Sequence, residues 1–219
     1  MRKIFPNIYI DNRGKLYTPN LVPGVTVYEE RLKKFDGIEL RQWDERRSKL
    51  AAAIMKRVSQ IGLRDNDYVL YLGASTGTTV SHVSDIVGPD GLVFALEFAP
   101  RVLRDLVFMA EKRKNIAPIL ADANQPNTFY NKLCLVDFVF QDIAQRNQSE
   151  IFLKNCAMFL KEDGFGMLSV KSRSIDISKK PSQIYSEVRQ ELEKEMLIVD
   201  YKMLDPIQKD HCIFVCKKR

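Results

Sequence analysis

From residue 67 onward the chain alternates short runs of β-branched and aromatic residues with longer stretches of helical period, and this alternation leaves few folds open. Strands are predicted at Tyr68–Leu72, Leu92–Leu96, Pro118–Leu120, Val136–Phe140, Phe165–Val170, Leu197–Met203 and Cys212–Cys216, with helices near 78–87, 101–113, 125–132, 149–160 and 181–195. Gly88-Pro89-Asp90-Gly91 and Glu162-Asp163-Gly164 read as turns. Strands that alternate with helices build an α/β sheet with crossover helices packed on it. Only Asp205-Pro206-Ile207-Gln208-Lys209-Asp210 separates the last two strands, too little for a crossover, so they are expected to close the sheet as an antiparallel hairpin.

The region before residue 46 has a different period. Ile8-Tyr9-Ile10 and Lys15-Leu16-Tyr17 flank Asn12-Arg13-Gly14, and Asp36-Gly37 lies between two further alternating runs, so this is expected to be a small β-rich unit. A helix follows over Arg46–Arg57, where Leu50, Ala51, Ile54 and Val58 recur at helical spacing behind Ser48. The 219 residues therefore divide into a small unit at 1–45 and one domain of ordinary size at 46–219. No apolar stretch approaches the ~20 residues of a membrane span, and no long apolar region follows Arg2 and Lys3. An intracellular, cytoplasmic protein that does not touch a membrane is expected.

The cysteines at 134, 156, 212 and 216 do not suggest a disulfide or zinc framework. Cys212 and Cys216 stand four apart in a predicted strand, roughly 13 Å from each other, which is too far to bridge. Buried structural thiols are expected, and no metal site.

Two features point to a ligand at the carboxyl edge of the sheet. Tyr71-Leu72-Gly73-Ala74-Ser75-Thr76-Gly77-Thr78-Thr79 is a glycine-bearing turn from a strand into a helix, where backbone can approach a ligand closely. It has no lysine after the second glycine, and its spacing is not that of a dinucleotide site. Further strands end at Glu97, Asp122, Asp142 and Lys171, so ionisable residues collect on the edge where open α/β sheets bind ligands. Glu97 falls roughly 20 residues past the glycine turn, the spacing at which a carboxylate takes ribose hydroxyls. The helix entering the first sheet strand brings Lys49 to the same edge, and the antiparallel last strand brings His211, preceded by Asp210.

Arg47-Ser48-Lys49-Leu50-Ala51-Ala52-Ala53-Ile54, the glycine turn continued to Val80-Ser81-His82-Val83-Ser84-Asp85, and Val87-Gly88-Pro89-Asp90-Gly91 resemble the fibrillarin family in its archaeal form. Glu97-Phe98, Lys112-Arg113 with Asn115-Ile116, Asp122-Ala123, Asp142-Ile143-Ala144-Gln145, Val170-Lys171, Ser174-Ile175-Asp176 and Asp210-His211 agree with it. The resemblance implies a Rossmann-like methyltransferase sheet of seven strands that uses S-adenosyl-L-methionine to methylate RNA ribose 2′-hydroxyls. It implies the catalytic subunit of a box C/D particle that modifies rRNA and, as a further substrate, tRNA. Its implied partners are the guide RNA, the target RNA, a Nop-domain scaffold protein and a kink-turn-binding ribosomal-type protein.

By the same resemblance, Gly73, Thr78 and Thr79 would hold the methionine part of the cofactor, and Glu97 its ribose. Phe98 would lie beside the adenine, Asp122 and Ala123 would hold the base edge, and Asp142, Ile143, Ala144 and Gln145 would line the reacting methyl. Lys49, Asp142, Lys171 and His211 would form the catalytic set. Transfer from a sulfonium has a neutral leaving group, so alignment and removal of the hydroxyl proton are the work left to the protein. Asp142 and Lys171 are expected to pair, Lys49 to meet the hydroxyl or an adjacent phosphate, and His211 to position one of the set. The proton acceptor is left open.

The chain departs from the family pattern at Ser75-Thr76, at Arg146-Asn147 and at Glu45, where proline is common. Glu45 is expected to pair with a neighbouring arginine or repel RNA, and the missing proline to free the chain before the helix. The formal charge of +6 is uneven. Arg46, Arg47, Lys49, Lys56 and Arg57 meet no acid over 46–57, whereas 58–100 sets Arg64 against Asp65, Asp67, Asp85, Asp90 and Glu97. Lys171, Arg173, Lys179 and Lys180 add a second basic run. With no base-reading module in the sequence, these runs suit RNA phosphates, and target choice falls to the guide.

Overall fold

The computed structural model describes all of residues 1–219. Strands β1 (Arg2–Phe5), β2 (Ile8–Ile10), β3 (Leu16–Pro19), β4 (Leu32–Phe35) and β5 (Ile38–Trp43) form a five-stranded antiparallel sheet in the order β1-β2-β3-β5-β4. Then come α1 (Lys49–Met55), β6 (Tyr68–Leu72), α2 (Thr78–Val87), β7 (Leu92–Glu97), α3 (Pro100–Ala110), β8 (Ile116–Leu120) and β9 (Val136–Gln141). The chain ends with α4 (Gln148–Phe159), β10 (Leu160–Lys171), the short α5 (Ser172–Ile175), α6 (Pro181–Glu195), β11 (Met196–Met203) and β12 (His211–Lys218).

The second sheet has seven strands in the order β11-β12-β10-β9-β6-β7-β8. Strands β6 to β10 pair in parallel, and β12 runs antiparallel to both of its neighbours. Strand order reverses at β6, which lies between β7 and β9, so the crevice for a ligand opens at its carboxyl end. One core packs α1, α2 and α3 on one face of this sheet, and a second packs α4 and α6 on the other.

Three expectations from the sequence are corrected. The predicted helix at 125–132 is a pair of 3-10 turns, Pro126–Thr128 and Tyr130–Lys132. Its buried anchors Pro126 and Phe129 are three apart, which suits the tighter period, and Phe129 stacks on Phe159 with ring centroids at 5.5 Å. Glu162-Asp163-Gly164 lies within β10, where the register with β9 shifts between Leu160 and Phe165 and Asp163 takes a left-handed φ of 62°. Cys134 is exposed, because it sits in the loop before β9, whereas Cys156, Cys212 and Cys216 are buried. Burial pushes the thiols of Cys212 and Cys216 up to about 12.

Helix α2 explains how the two sheets join. Val80, Val83, Ile86 and Val87 face the large sheet, yet Ser81, His82, Ser84 and Asp85 on its other side are buried as well. The N-terminal sheet covers that polar side, so each polar group there needs a partner. Arg41 Nη1 lies 2.7 Å from Asp85 Oδ2, and Arg113 Nη1 lies 2.5 Å from Asp85 Oδ1. Glu30 completes the cluster with Arg41 Nε at 2.6 Å. Thr18 Oγ1 donates to Asp85 Oδ2 at 3.1 Å and, its proton being used there, accepts from His82 Nδ1 at 2.8 Å. Tyr28 Oη lies 2.7 Å from His82 Nε2 and 3.0 Å from the Gln42 carbonyl. Burial, with Arg41 and Arg113 nearby, holds His82 well below the ordinary histidine range and therefore neutral. Asp85 thus belongs to an internal ion cluster and adds nothing to an acidic surface.

Candidate active site

The first turn of the site is fixed by backbone. Gly73 N–H and Ala74 N–H donate to the Leu96 carbonyl at 3.0 and 2.9 Å, and Asp142 N–H donates to the Leu72 carbonyl at 3.0 Å. These bonds bind the ends of β7 and β9 to the turn after β6. Gly73 has a φ of +83°, and a Cβ built on it would meet the Asp142 carbonyl oxygen at 2.5 Å. Glu97 clamps the turn from the other side, its Oε2 accepting from Ser75 N–H at 2.8 Å and its Oε1 from Ala99 N–H at 2.9 Å. Each oxygen keeps a second lone pair for a ligand hydroxyl.

The resulting cavity has a volume of about 320 Å³. Gly73, Glu97, Phe98, Asp122, Ala123, Asp142, Ile143, Ala144 and Gln145 all line it, so nine of the expected cofactor positions meet in one place. Thr78 and Thr79 do not line it. Thr78 opens α2, and Thr79 is buried in its first turn. The structure adds Ser75, Leu96 and Ile151 to the wall. Ser75 stands inside the glycine turn and was open to inference from its position; Ile151 arrives from the first turns of α4 and has no local signal in sequence.

The lining carries three carboxyl side chains and no lysine or arginine. Such a wall favours a ligand with positive charge and hydroxyls. Phe98 stands at the rim with 68% of its surface exposed, ready to cover an aromatic ring. S-adenosylmethionine, with its sulfonium, ammonium, ribose and adenine, fits this set. Other hollows, of about 340 Å³ beside Cys156 and Met196 and about 700 Å³ at Asn124–Thr128, lack this convergence of the glycine turn and strand-end carboxylates. No three or more His, Cys, Asp or Glu side chains are grouped as a metal site, and no helix is long and apolar enough to cross a membrane.

Beside the cavity the expected catalytic residues converge, with one change of partner. Lys49 Nζ lies 3.4 Å from Asp142 Oδ2, both side chains being about a quarter exposed. Lys171 is not Asp142's partner. The β9–β10 register pairs Gln141 with Leu168, which carries Lys171 about two residues, roughly 6–7 Å, past Asp142 along the edge. Lys171 instead stands opposite His211 across β10 and β12.

His211 Nδ1 lies 2.7 Å from the Lys209 carbonyl, which can only accept, so Nδ1 carries the ring proton and Nε2 the free lone pair. Partial burial lowers the pKa of His211, and Lys49 and Lys171 lower it further against the opposing Lys209 carbonyl and Asp142. The imidazole is therefore neutral at pH 7. Glu45 is another correction, since it pairs with Lys15 at 3.3 Å and not with an arginine. Gln208 Nε2 donates to the carbonyls of Glu45 and Arg46 at 3.1 and 2.6 Å, so the chain before α1 is held, not free.

Fold and site together define the class: an S-adenosylmethionine-dependent methyltransferase. A SAM-dependent methyltransferase from Aquifex aeolicus shares the fold alone, at 18% identity and a TM-score of 0.54 over 74% of this chain and 87% of that one. The chain belongs to the fibrillarin family, whose model matches residues 1–219. It is 49% identical to the fibrillarin-like rRNA/tRNA 2′-O-methyltransferase of Thermococcus onnurineus, over 98% of this chain and 96% of that protein. Aeropyrum pernix fibrillarin, solved with natively bound S-adenosyl-L-methionine, superimposes with a TM-score of 0.87 at 40% identity, covering 95% of this chain and 92% of its own. A fibrillarin solved in complex with Nop5p gives a TM-score of 0.91 at 38% identity, with 100% of each chain covered.

The Gly73→Ala variant tests the cavity directly. The added methyl must displace the Asp142 backbone, so S-adenosylmethionine affinity is expected to fall by about 1.4 kcal/mol or more, tenfold in Kd. Isothermal titration of the folded variant reads this, and wild-type affinity would remove the glycine turn from the binding site.

Proposed function

We propose that this protein transfers a methyl group from S-adenosylmethionine to RNA ribose 2′-hydroxyls within a box C/D guide particle, with rRNA and tRNA as targets. The observation that carries this reading is the Lys49–Asp142 pair beside a neutral His211 at the mouth of the acid-lined cavity. Membership of the fibrillarin family supports it. When bound, S-adenosylmethionine supplies an electrophilic methyl on a positively charged sulfur.

The protein's own residues supply the rest. Asp142 touches both the cavity and Lys49, so it spans the distance between donor and acceptor sites. Lys49 holds the ribose hydroxyl or its adjacent phosphate and offers positive charge to the developing alkoxide. Asp142 is engaged by Lys49, which leaves Nε2 of His211 as the unengaged acceptor for the hydroxyl proton. Lys171, exposed at the carboxyl end of β10, adds a second cation for the RNA backbone. A Nop-domain scaffold and a kink-turn-binding protein hold guide and target in place, in keeping with the Nop5p complex of the related fibrillarin.

The test is reconstitution with guide RNA, target RNA, scaffold and kink-turn-binding protein, followed across pH. One methyl is expected on the guided ribose. The single-turnover rate should be full at neutral pH and fall in acid as pH drops through the His211 pKa, below the ordinary histidine value. Methylation of protein without guide RNA, or cofactor binding with no RNA product, would overturn the function. An acid limb at or above the ordinary value would overturn the role of His211.

A further inference from the structure

Gln148, the first residue of α4, is fully buried, and its side-chain amide is almost completely used. Its Oε1 accepts from Lys171 N–H at 3.0 Å. Its Nε2 donates to the Lys171 carbonyl at 3.3 Å and to the Gln145 carbonyl at 2.6 Å. One planar amide therefore meets both backbone groups of Lys171, as a residue on a neighbouring strand would. No strand residue is there to do so. The β9–β10 ladder ends with Gln141 opposite Leu168, and the chain after β9 departs as the cavity wall Asp142–Gln145.

The same residue is tied from behind. Gln141 Nε2, next to Asp142 in the chain, donates to the Gln148 carbonyl at 2.7 Å. Buried backbone groups must find partners, and several side chains could have satisfied Lys171 alone. What Gln148 adds is a joint: one nitrogen binds the cavity wall at Gln145 and the end of β10 at Lys171.

We infer that Gln148 is a positioning residue for methyl transfer, holding the backbone of Lys171 in register with the wall that carries Asp142. The inference rests on the proposed reaction. A lysine side chain is long and mobile, so the volume its ammonium sweeps is set by where its backbone is fixed. A misplacement of about 1 Å at such a site costs about a hundredfold in rate.

Gln148→Leu removes all three bonds at similar size, and Gln148→Glu keeps the acceptor while losing both donors. Ser149→Ala is the comparison, because the Ser149 hydroxyl bonds Glu191 on α6 and does not touch Lys171. Each is assayed in the reconstituted particle for single-turnover rate at saturating RNA and cofactor, for cofactor Kd and for melting temperature. Both Gln148 variants should lose roughly ten- to a hundredfold in rate. Their cofactor Kd should stay within about threefold, or under 1 kcal/mol. Ser149→Ala, which loses one part-buried bond at the neighbouring position, should react as wild type. If the Leu variant does not fold, the Glu variant carries the same expectation. Wild-type rates in the Gln148 variants, or rate losses in all three that track melting temperature, would overturn the inference. An inactive wild-type particle would instead overturn the proposed reaction on which it rests.

Discussion

Replacing Asp142 by asparagine is expected to lower the single-turnover methylation rate by about a hundred- to a thousandfold, the usual effect of removing one charge-stabilising group from a reaction site. Asp142 is the residue shared by the cavity wall and the Lys49 pair. The amide that replaces its carboxylate would keep the shape and lose the charge. Lys49 would be released from its 3.4 Å anchor, and His211 would lose the negative neighbour that opposes Lys49 and Lys171. Cofactor affinity should fall by no more than about fivefold, as befits one partly solvated charge. Measured together, the two numbers decide the matter. A rate within a few-fold of wild type, or an affinity loss as large as the rate loss, would place Asp142 in binding alone.

The second large effect concerns stability. Asp85→Ala removes the carboxylate that two buried guanidinium groups share. Arg41 keeps Glu30, but Arg113 loses its paired ion inside a protein core, and Thr18 loses its acceptor. Breaking a buried pair from one side costs about 3–5 kcal/mol. For a chain of this size that corresponds to a melting temperature lower by roughly 6–20 °C. Urea titration at neutral pH provides the direct measurement. A loss under about 1 kcal/mol would mean that the cluster contributes little beyond filling space.

These two sites differ in how far they could be read from sequence. Asp142 and its neighbours were legible because alternating β runs locate strand ends, and parallel strands deliver those ends to one edge. Glu97, Asp122, Asp142 and Lys171 followed from that rule, and Lys49 and His211 from the direction of the elements carrying them. Which lysine pairs with Asp142 was not legible, since it depends on a two-residue offset in the β9–β10 register. The Asp85 cluster was hidden for another reason. Arg41, Asp85 and Arg113 lie far apart in the chain, and an isolated charged residue looks the same in sequence whether buried or exposed. Only the covering of the polar side of α2 by the N-terminal sheet makes them a unit. The turns at Pro126 and Tyr130 were misread as helix because their apolar spacing of three sits close to the helical period.

The three carboxyl groups in a wall without a cation have a consequence for life among abundant nucleotides. ATP, AMP and the pyridine dinucleotides all carry the adenosine that Phe98, Glu97 and Asp122 are proposed to receive. They also carry phosphate, which this wall repels, whereas S-adenosylmethionine presents a sulfonium on the same 5′ carbon of its ribose. Competition from adenylates is therefore expected to be reduced by charge, with shape left to choose among cationic adenosines.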